Sequence, residues 1–124
     1  MGALVIVAED EAMLRFVVVQ NLEDCGFSVL ACANGLDALD QAKIHPECRL
    51  LISDVRMPVM NGFDLAGEVL SLDPHPPVML LTGFSDPLPE DLSNRITLLK
   101  KPISMDELCE RARSLCGDAE LRSH

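Results

Sequence analysis

Four short apolar runs constrain this chain more than any other feature: ALVIVA at 3–8, LLIS at 50–53, VMLL at 78–81 and ITLL at 96–99. They are nearly continuous rather than alternating, the pattern of strands in a parallel sheet whose two faces are both covered by helices. A weaker fifth run is SVLACA at 28–33. Segments with helical features lie between them. Glu11 to Cys25 is rich in apolar residues and stops at Gly26. Gly35 to Lys43 sets Leu36, Leu39 and Ala42 on one face and stops before His45-Pro46, and Gly62 to Leu72 carries Phe63, Leu65, Ala66, Val69 and Leu70 before Asp73-Pro74. Ser104 to Cys116 opens with a capping-box pattern, Ser104 followed three residues later by Glu107.

Between Thr82 and Arg95 the pattern breaks. Pro87 and Pro89 permit a helical first turn but no long helix, so a loop with one short helix is expected there. The alternation predicts an α/β fold, a doubly wound five-stranded parallel sheet with about five helices, the fourth short or irregular, joined by right-handed crossovers. With 124 residues, 48 % of them hydrophobic, the chain suits one domain over 1–118 and a short tail over 119–124.

Doubly wound sheets bind ligands beyond the carboxyl ends of their strands. Here those ends carry Glu9, Asp10 and Glu11 after the first run, Asp54 after LLIS, Thr82 after VMLL, and Lys100 and Lys101 after ITLL. Three carboxylates on one edge (Glu9, Asp10, Asp54) repel unless a cation sits among them. An all-oxygen cluster with no His or Cys at a fitting position favours Mg²⁺ or Mn²⁺ over zinc. The Thr82 hydroxyl and the lysine ammonium groups suit a bound phosphate. Taken one at a time, each residue also has a plainer reading. Asp54 could cap a turn, Glu9 to Glu11 could favour a helix start, Thr82 could belong to a turn, and Lys101-Pro102 could be a solvated strand exit. Their recurrence at successive strand ends favours chemistry.

A formal charge of −10, from 20 acidic and 10 basic residues, repels phosphate backbones and anionic lipids, so neither nucleic acid nor a membrane is an expected partner. The opening MGALVIVAEDEA has no basic leader and an apolar run far too short to span a bilayer. A cytoplasmic protein is expected. Its five cysteines (Cys25, Cys32, Cys48, Cys109, Cys116) contain no C-x-x-C pair and are expected to be reduced core thiols.

From Leu4 to about Cys116 the chain resembles the receiver domain of two-component response regulators, of the stand-alone type. That family has an acidic pair after the first strand, D-x-x-M-P-x-x-x-G after the third, Thr or Ser after the fourth and Lys-Pro after the fifth. Here these are Glu9-Asp10, then Asp54 with Met57, Pro58 and Gly62, then Thr82, then Lys101-Pro102. The resemblance implies a (βα)5 flavodoxin-like fold with Asp54 as phosphoacceptor, Asp10 as a direct Mg²⁺ ligand and Glu9 as a ligand through water. The backbone carbonyl of Arg56 would be a further ligand, Thr82 would bind the phosphoryl group, and Lys101 would pair with it. The donor would be a phosphohistidine of a sensor kinase or phosphotransfer protein, and the output a downstream protein target or a phosphate sink. Such a domain is no enzyme beyond self-catalysed phosphorylation and autodephosphorylation. Two other readings are a receiver-like binding module that is never phosphorylated and an aspartyl-nucleophile phosphohydrolase. The hydrolase is disfavoured because Arg56 stands where such enzymes usually carry a second acid.

One position departs from the family. Leu98 stands three residues before Lys101, where a Tyr or Phe is usual, and the nearest aromatic on the active edge is Phe84 in Thr82-Gly83-Phe84. Switching is therefore expected to depend on the Thr82 to Arg95 loop, with Leu98 a core residue, while Phe84 reads equally as a plain packing residue.

Overall fold

The computed structural model describes residues 2–83, 87–92 and 94–117. Strands β1 (Leu4–Ala8), β2 (Ser28–Cys32), β3 (Leu50–Asp54), β4 (Val78–Thr82) and β5 (Ile96–Lys100) alternate with helices α1 (Ala12–Asp24), α2 (Gly35–Ile44), α3 (Gly62–Leu70) and α4 (Met105–Leu115). Among the described residues the connection from β4 to β5 carries a 3-10 turn, Glu90–Leu92, and the described elements are four α-helices and this short turn where about five helices, the fourth short or irregular, are expected. Pro87 and Pro89 just before it supply no amide donors to a longer helix.

All four strand pairings are parallel, in the order β2-β1-β3-β4-β5. The chain starts at β1, goes out to β2 and returns to β3 on the other side, which places the topological switch point between the ends of β1 and β3. Every residue of β3 and β4 is buried. Their alternate side chains feed two core layers. Ile6, Leu51 and Leu80 pack with Leu65 and Val69 of α3, and Val7, Ile52 and Met79 pack with Leu22 of α1 and Leu108 of α4. Each such burial stabilises by about 1.5–3 kcal/mol before chain entropy is counted, so the central strands are firmly held.

Local signals act as the sequence suggests. Asn34 and Asn61 cap α2 and α3 by accepting from Asp37 N and Asp64 N at 2.8 Å. Ser104 accepts from Glu107 N at 3.3 Å, while the Glu107 carboxylate reaches along the helix to Arg111 at 3.6 Å. Gly26, at φ +101, ends α1 in a conformation that suits glycine. In α2 the buried face is Gly35, Ala38, Leu39 and Ala42, and Leu36 is exposed.

Two expectations need correction. Leu98 is 36 % exposed rather than part of the core. It lies on edge strand β5 opposite Leu80, on a face where the described residues of the crossover offer only a short 3-10 turn. The five cysteines are also not all free thiols. Cys32, Cys48 and Cys116 are buried and unbonded, but the sulfurs of Cys25 and Cys109 are joined between α1 and α4. Phe84 and the tail 119–124 lie outside the described residues.

Candidate functional site

The carboxyl ends of β1, β3 and β5 meet on one edge, and side-chain alternation aims three of their residues the same way. Glu9 continues the series Val5, Val7, Asp54 continues Leu50, Ile52, and Lys101 follows Leu99 by two, all in step with the α1/α4 core layer. Oxygens of Glu9, Asp10 and Asp54 lie within 4.8 Å of one another. Lys101 Nζ donates to Asp54 Oδ2 at 2.9 Å, and Arg56 N approaches Asp54 Oδ1 at 3.4 Å, which sets the Arg56 main chain beside the carboxylate. Asp54 is buried whereas Asp10 is exposed, so the cluster has a sealed floor and an open mouth.

Glu9 is the most constrained member, only 2 % exposed. Its Oε2 accepts from Glu11 N at 3.0 Å, its amide donates to Cys32 O at 3.0 Å, and its carbonyl accepts from Arg15 Nη1 at 2.8 Å. Its Oε1 is buried with no hydrogen-bond partner among the described residues. Burial pushes the Glu9 carboxyl up to about 7, the Glu11 amide opposes this, and the Asp54 charge adds to it. An orphaned carboxylate oxygen facing two further carboxylates fits a hard divalent cation, which would restore the missing partner and offset the repulsion. The group could therefore hold a metal ion.

The β3–α3 loop is shaped to keep Asp54 in place. A Cβ on Gly62 would stand 2.5 Å from Asp54 O and 2.8 Å from Val55 Cα, so only glycine lets α3 start against the end of β3. Gly62 N donates to Val55 O at 2.8 Å, and Ser53 Oγ donates to Asp54 O at 2.8 Å. Val59 adopts φ 70 while 91 % exposed, an uncommon conformation for a β-branched residue. Beside the loop opens a cleft of about 620 Å³, lined by Arg56, Met57, Pro58, Phe63 and Pro87 among others.

Thr82 is brought to the same edge but oriented otherwise. It is buried, it falls in step with Leu80 on the α2/α3 side, and its Oγ1 donates to Gly83 O at 2.9 Å. Its carbonyl accepts from Lys101 N at 2.9 Å, which joins the ends of β4 and β5. Of the two adjacent lysines, Lys101 reaches Asp54 and Lys100 is exposed. Arg15 is not among the residues the sequence marks as functional, although a lone cation in the first turns of a largely apolar helix, just after three acids, is the available signal. Among the described residues, no helix is long and apolar enough to cross a membrane.

Comparison with known proteins adds the following. The family model described as response regulator receiver domain matches residues 5–113. Over 106 residues the chain is 32 % identical to the autoinducer 1 sensor kinase/phosphatase LuxN of Vibrio harveyi, covering 84 % of this chain and 12 % of LuxN. Over 111 residues it is 35 % identical to the transcriptional regulatory protein CreB of Escherichia coli, covering 86 % of this chain and 48 % of CreB. It thus spans less than half the length of either relative. The solved receiver domain of the hybrid histidine kinase CckA superposes with a TM-score of 0.78 at 30 % identity, covering 92 % of this chain and 99 % of that one.

Proposed function

The chain belongs to the response regulator receiver domain family, and from that premise we propose that Asp54 accepts a phosphoryl group from a phosphohistidine of a sensor kinase or phosphotransfer protein. The observation that carries this is the buried Asp54 carboxylate, 2.9 Å from Lys101 Nζ and clustered with Glu9 and Asp10. An ionised carboxylate needs no general base. An Asp54 oxygen attacks phosphorus, the N–P bond of the phosphohistidine breaks, and the imidazole leaves with the bonding electrons and takes up a proton. Glu9, Asp10, Asp54 and the Arg56 carbonyl would hold Mg²⁺, which when bound supplies positive charge opposite the phosphoryl oxygens. Lys101 neutralises a second side of the group. Thr82 turns its hydroxyl from Gly83 O toward a phosphoryl oxygen once one is present. The resulting acyl phosphate hydrolyses on its own, so the signal is transient, and it is read by a downstream protein whose binding shifts with the conformational population.

The test is incubation with Mg²⁺ and acetyl phosphate followed by intact mass, with Asp54→Asn as control. One labile phosphoryl group gained by the wild type alone is the expected result. Steady turnover of many phosphate esters would indicate a hydrolase instead, and no gain in either protein would leave a binding module.

A further inference from the structure

We propose that Cys25 and Cys109 form a reversible thiol–disulfide site that reacts with low-molecular-weight disulfides, opening and closing a covalent link between α1 and α4. Cys25 caps the C-terminus of α1, and Cys109 lies in the second turn of α4. They are 84 residues apart in sequence, yet their α-carbons are 6.5 Å apart, inside the range a disulfide spans, and their sulfurs are joined. The same seam is held without them. Asn21 Nδ2 donates to Met105 O at 3.1 Å, Arg113 Nη2 donates to Cys25 O at 3.5 Å, and Leu22 and Leu108 are fully buried in the shared core layer. The two helices therefore stay in register when the sulfur bond is open, so the thiols face each other ready to close again.

The other cysteines are poor competitors. Cys32, Cys48 and Cys116 are buried, and the Cys48 thiol donates to Leu50 O at 3.2 Å. Burial pushes the thiols of Cys32 and Cys116 up to about 11 and raises that of Cys48, so none supplies much thiolate at neutral pH. Cys25 is half-buried whereas Cys109 is 5 % exposed, so a reagent meets Cys25 first.

The Cys25 thiolate attacks one sulfur of RS–SR and releases RS⁻, leaving a mixed disulfide. Cys109 then loses its proton and displaces the second RS⁻ from Cys25. Both thiol protons end on two RSH molecules, and two electrons pass from the protein to the reagent. A small thiol attacking Cys25 Sγ reverses the sequence. α1 leaves the Glu9–Glu11 loop and α4 follows Lys101-Pro102, so the link ties together the helices behind two arms of the Asp54 cluster without touching it. Closure acts on the stability of the domain and is independent of whether Asp54 is phosphorylated.

The test equilibrates the 124-residue chain across a series of oxidised and reduced glutathione mixtures, then quenches with acid, alkylates under denaturing conditions and maps the peptides. At the oxidising end, two of the five cysteines should escape alkylation and map as a Cys25–Cys109 pair. The thermal midpoint should rise by roughly 10 °C over the reduced protein, because the closed loop is long. Cys25→Ser and Cys109→Ser should melt alike in both buffers. Alkylation of all five cysteines, a persistent glutathione adduct on Cys25, or a pairing of Cys48 with Cys116 would each overturn the proposal. The mapping is made on the wild type, so it stands even where a serine variant fails to fold.

Discussion

The two halves of the active edge are built differently. On the β1/β3/β5 side, Glu9, Asp54 and Lys101 share one side-chain direction, Glu9 is fixed through its amide, its carbonyl and one carboxylate oxygen, and Lys101 already touches Asp54. On the β4 side, Thr82 points to the other core layer and bonds Gly83 O, the described part of the crossover behind it holds a 3-10 turn, and Leu98 is partly exposed. On the proposed function, the first half is already set before a phosphoryl group arrives, and Thr82 must turn from Gly83 O to reach it. On that proposal acceptance and response rest on different residues, with the buried charge gathered in the first half.

The strongest way to break this contrast is to unbuild the organised half. Asp10→Ala removes one of three carboxylates from the cation cluster and should weaken Mg²⁺ binding by roughly 100-fold or more, since losing even an outer-sphere partner of a ligand costs about 10–100-fold. Isothermal titration reads this directly, and wild-type affinity would refute the ligand assignment. Arg15→Gln, which frees only the Glu9 carbonyl, should cost about tenfold, with Arg15→Lys recovering part of it.

Glu9 gives the organised half a pH signature. Its carboxyl stands at about 7 in the fold against 4.5 ordinarily, so between those values the metal-free folded protein keeps a proton that the unfolded chain has released. Stability from this group is full below about pH 4.5, falls as pH rises and is lost above about pH 7, a change of no more than about 3 kcal/mol. Urea unfolding of the metal-free protein at pH 5 and pH 8 should show the fall, and Glu9→Gln should flatten it. Added Mg²⁺ should stabilise more at pH 8 than at pH 5. A metal-free protein equally stable at both pH values would mean that Glu9 is not desolvated as the structure has it.

A smaller, steric effect belongs to the same half. Gly62→Ala places a methyl 2.5 Å from Asp54 O, which forces the start of α3 away from β3 and should destabilise by about 2 kcal/mol in urea. Phosphoryl acceptance should slow with it, because the displaced atoms are those of Asp54 itself.

How far the sequence was readable follows the same division. The strands were legible because β3 and β4 are buried on both faces and so leave continuous apolar runs. The acids and Lys101 were legible because parallel strands end together. What sequence could not show were contacts made across the fold. Arg15 reaches the Glu9 carbonyl, and Cys25 meets Cys109 across 84 residues, and neither relation leaves a local spacing. Leu98 escapes for a related reason: an apolar residue in an apolar run reads as core, whereas among the described residues of the crossover only a 3-10 turn is there to cover it.

The smallest expected effect tests the responsive half on its own. Leu98 and Leu80 are register partners on neighbouring strands, so they share a backbone setting and differ mainly in what lies over them. Leu80 is fully buried, and Leu80→Ala should cost about 3 kcal/mol through the cavity it leaves. Leu98→Ala removes the same atoms from a partly solvated site and should cost less than about 1 kcal/mol, with acetyl phosphate labelling of Asp54 unchanged. A cost for Leu98→Ala close to that of Leu80→Ala would mean that the β4–β5 crossover packs down on β5 in solution. The contrast between an organised and a responsive half would then fail, because Leu98 would belong to the same fixed core as the acceptor.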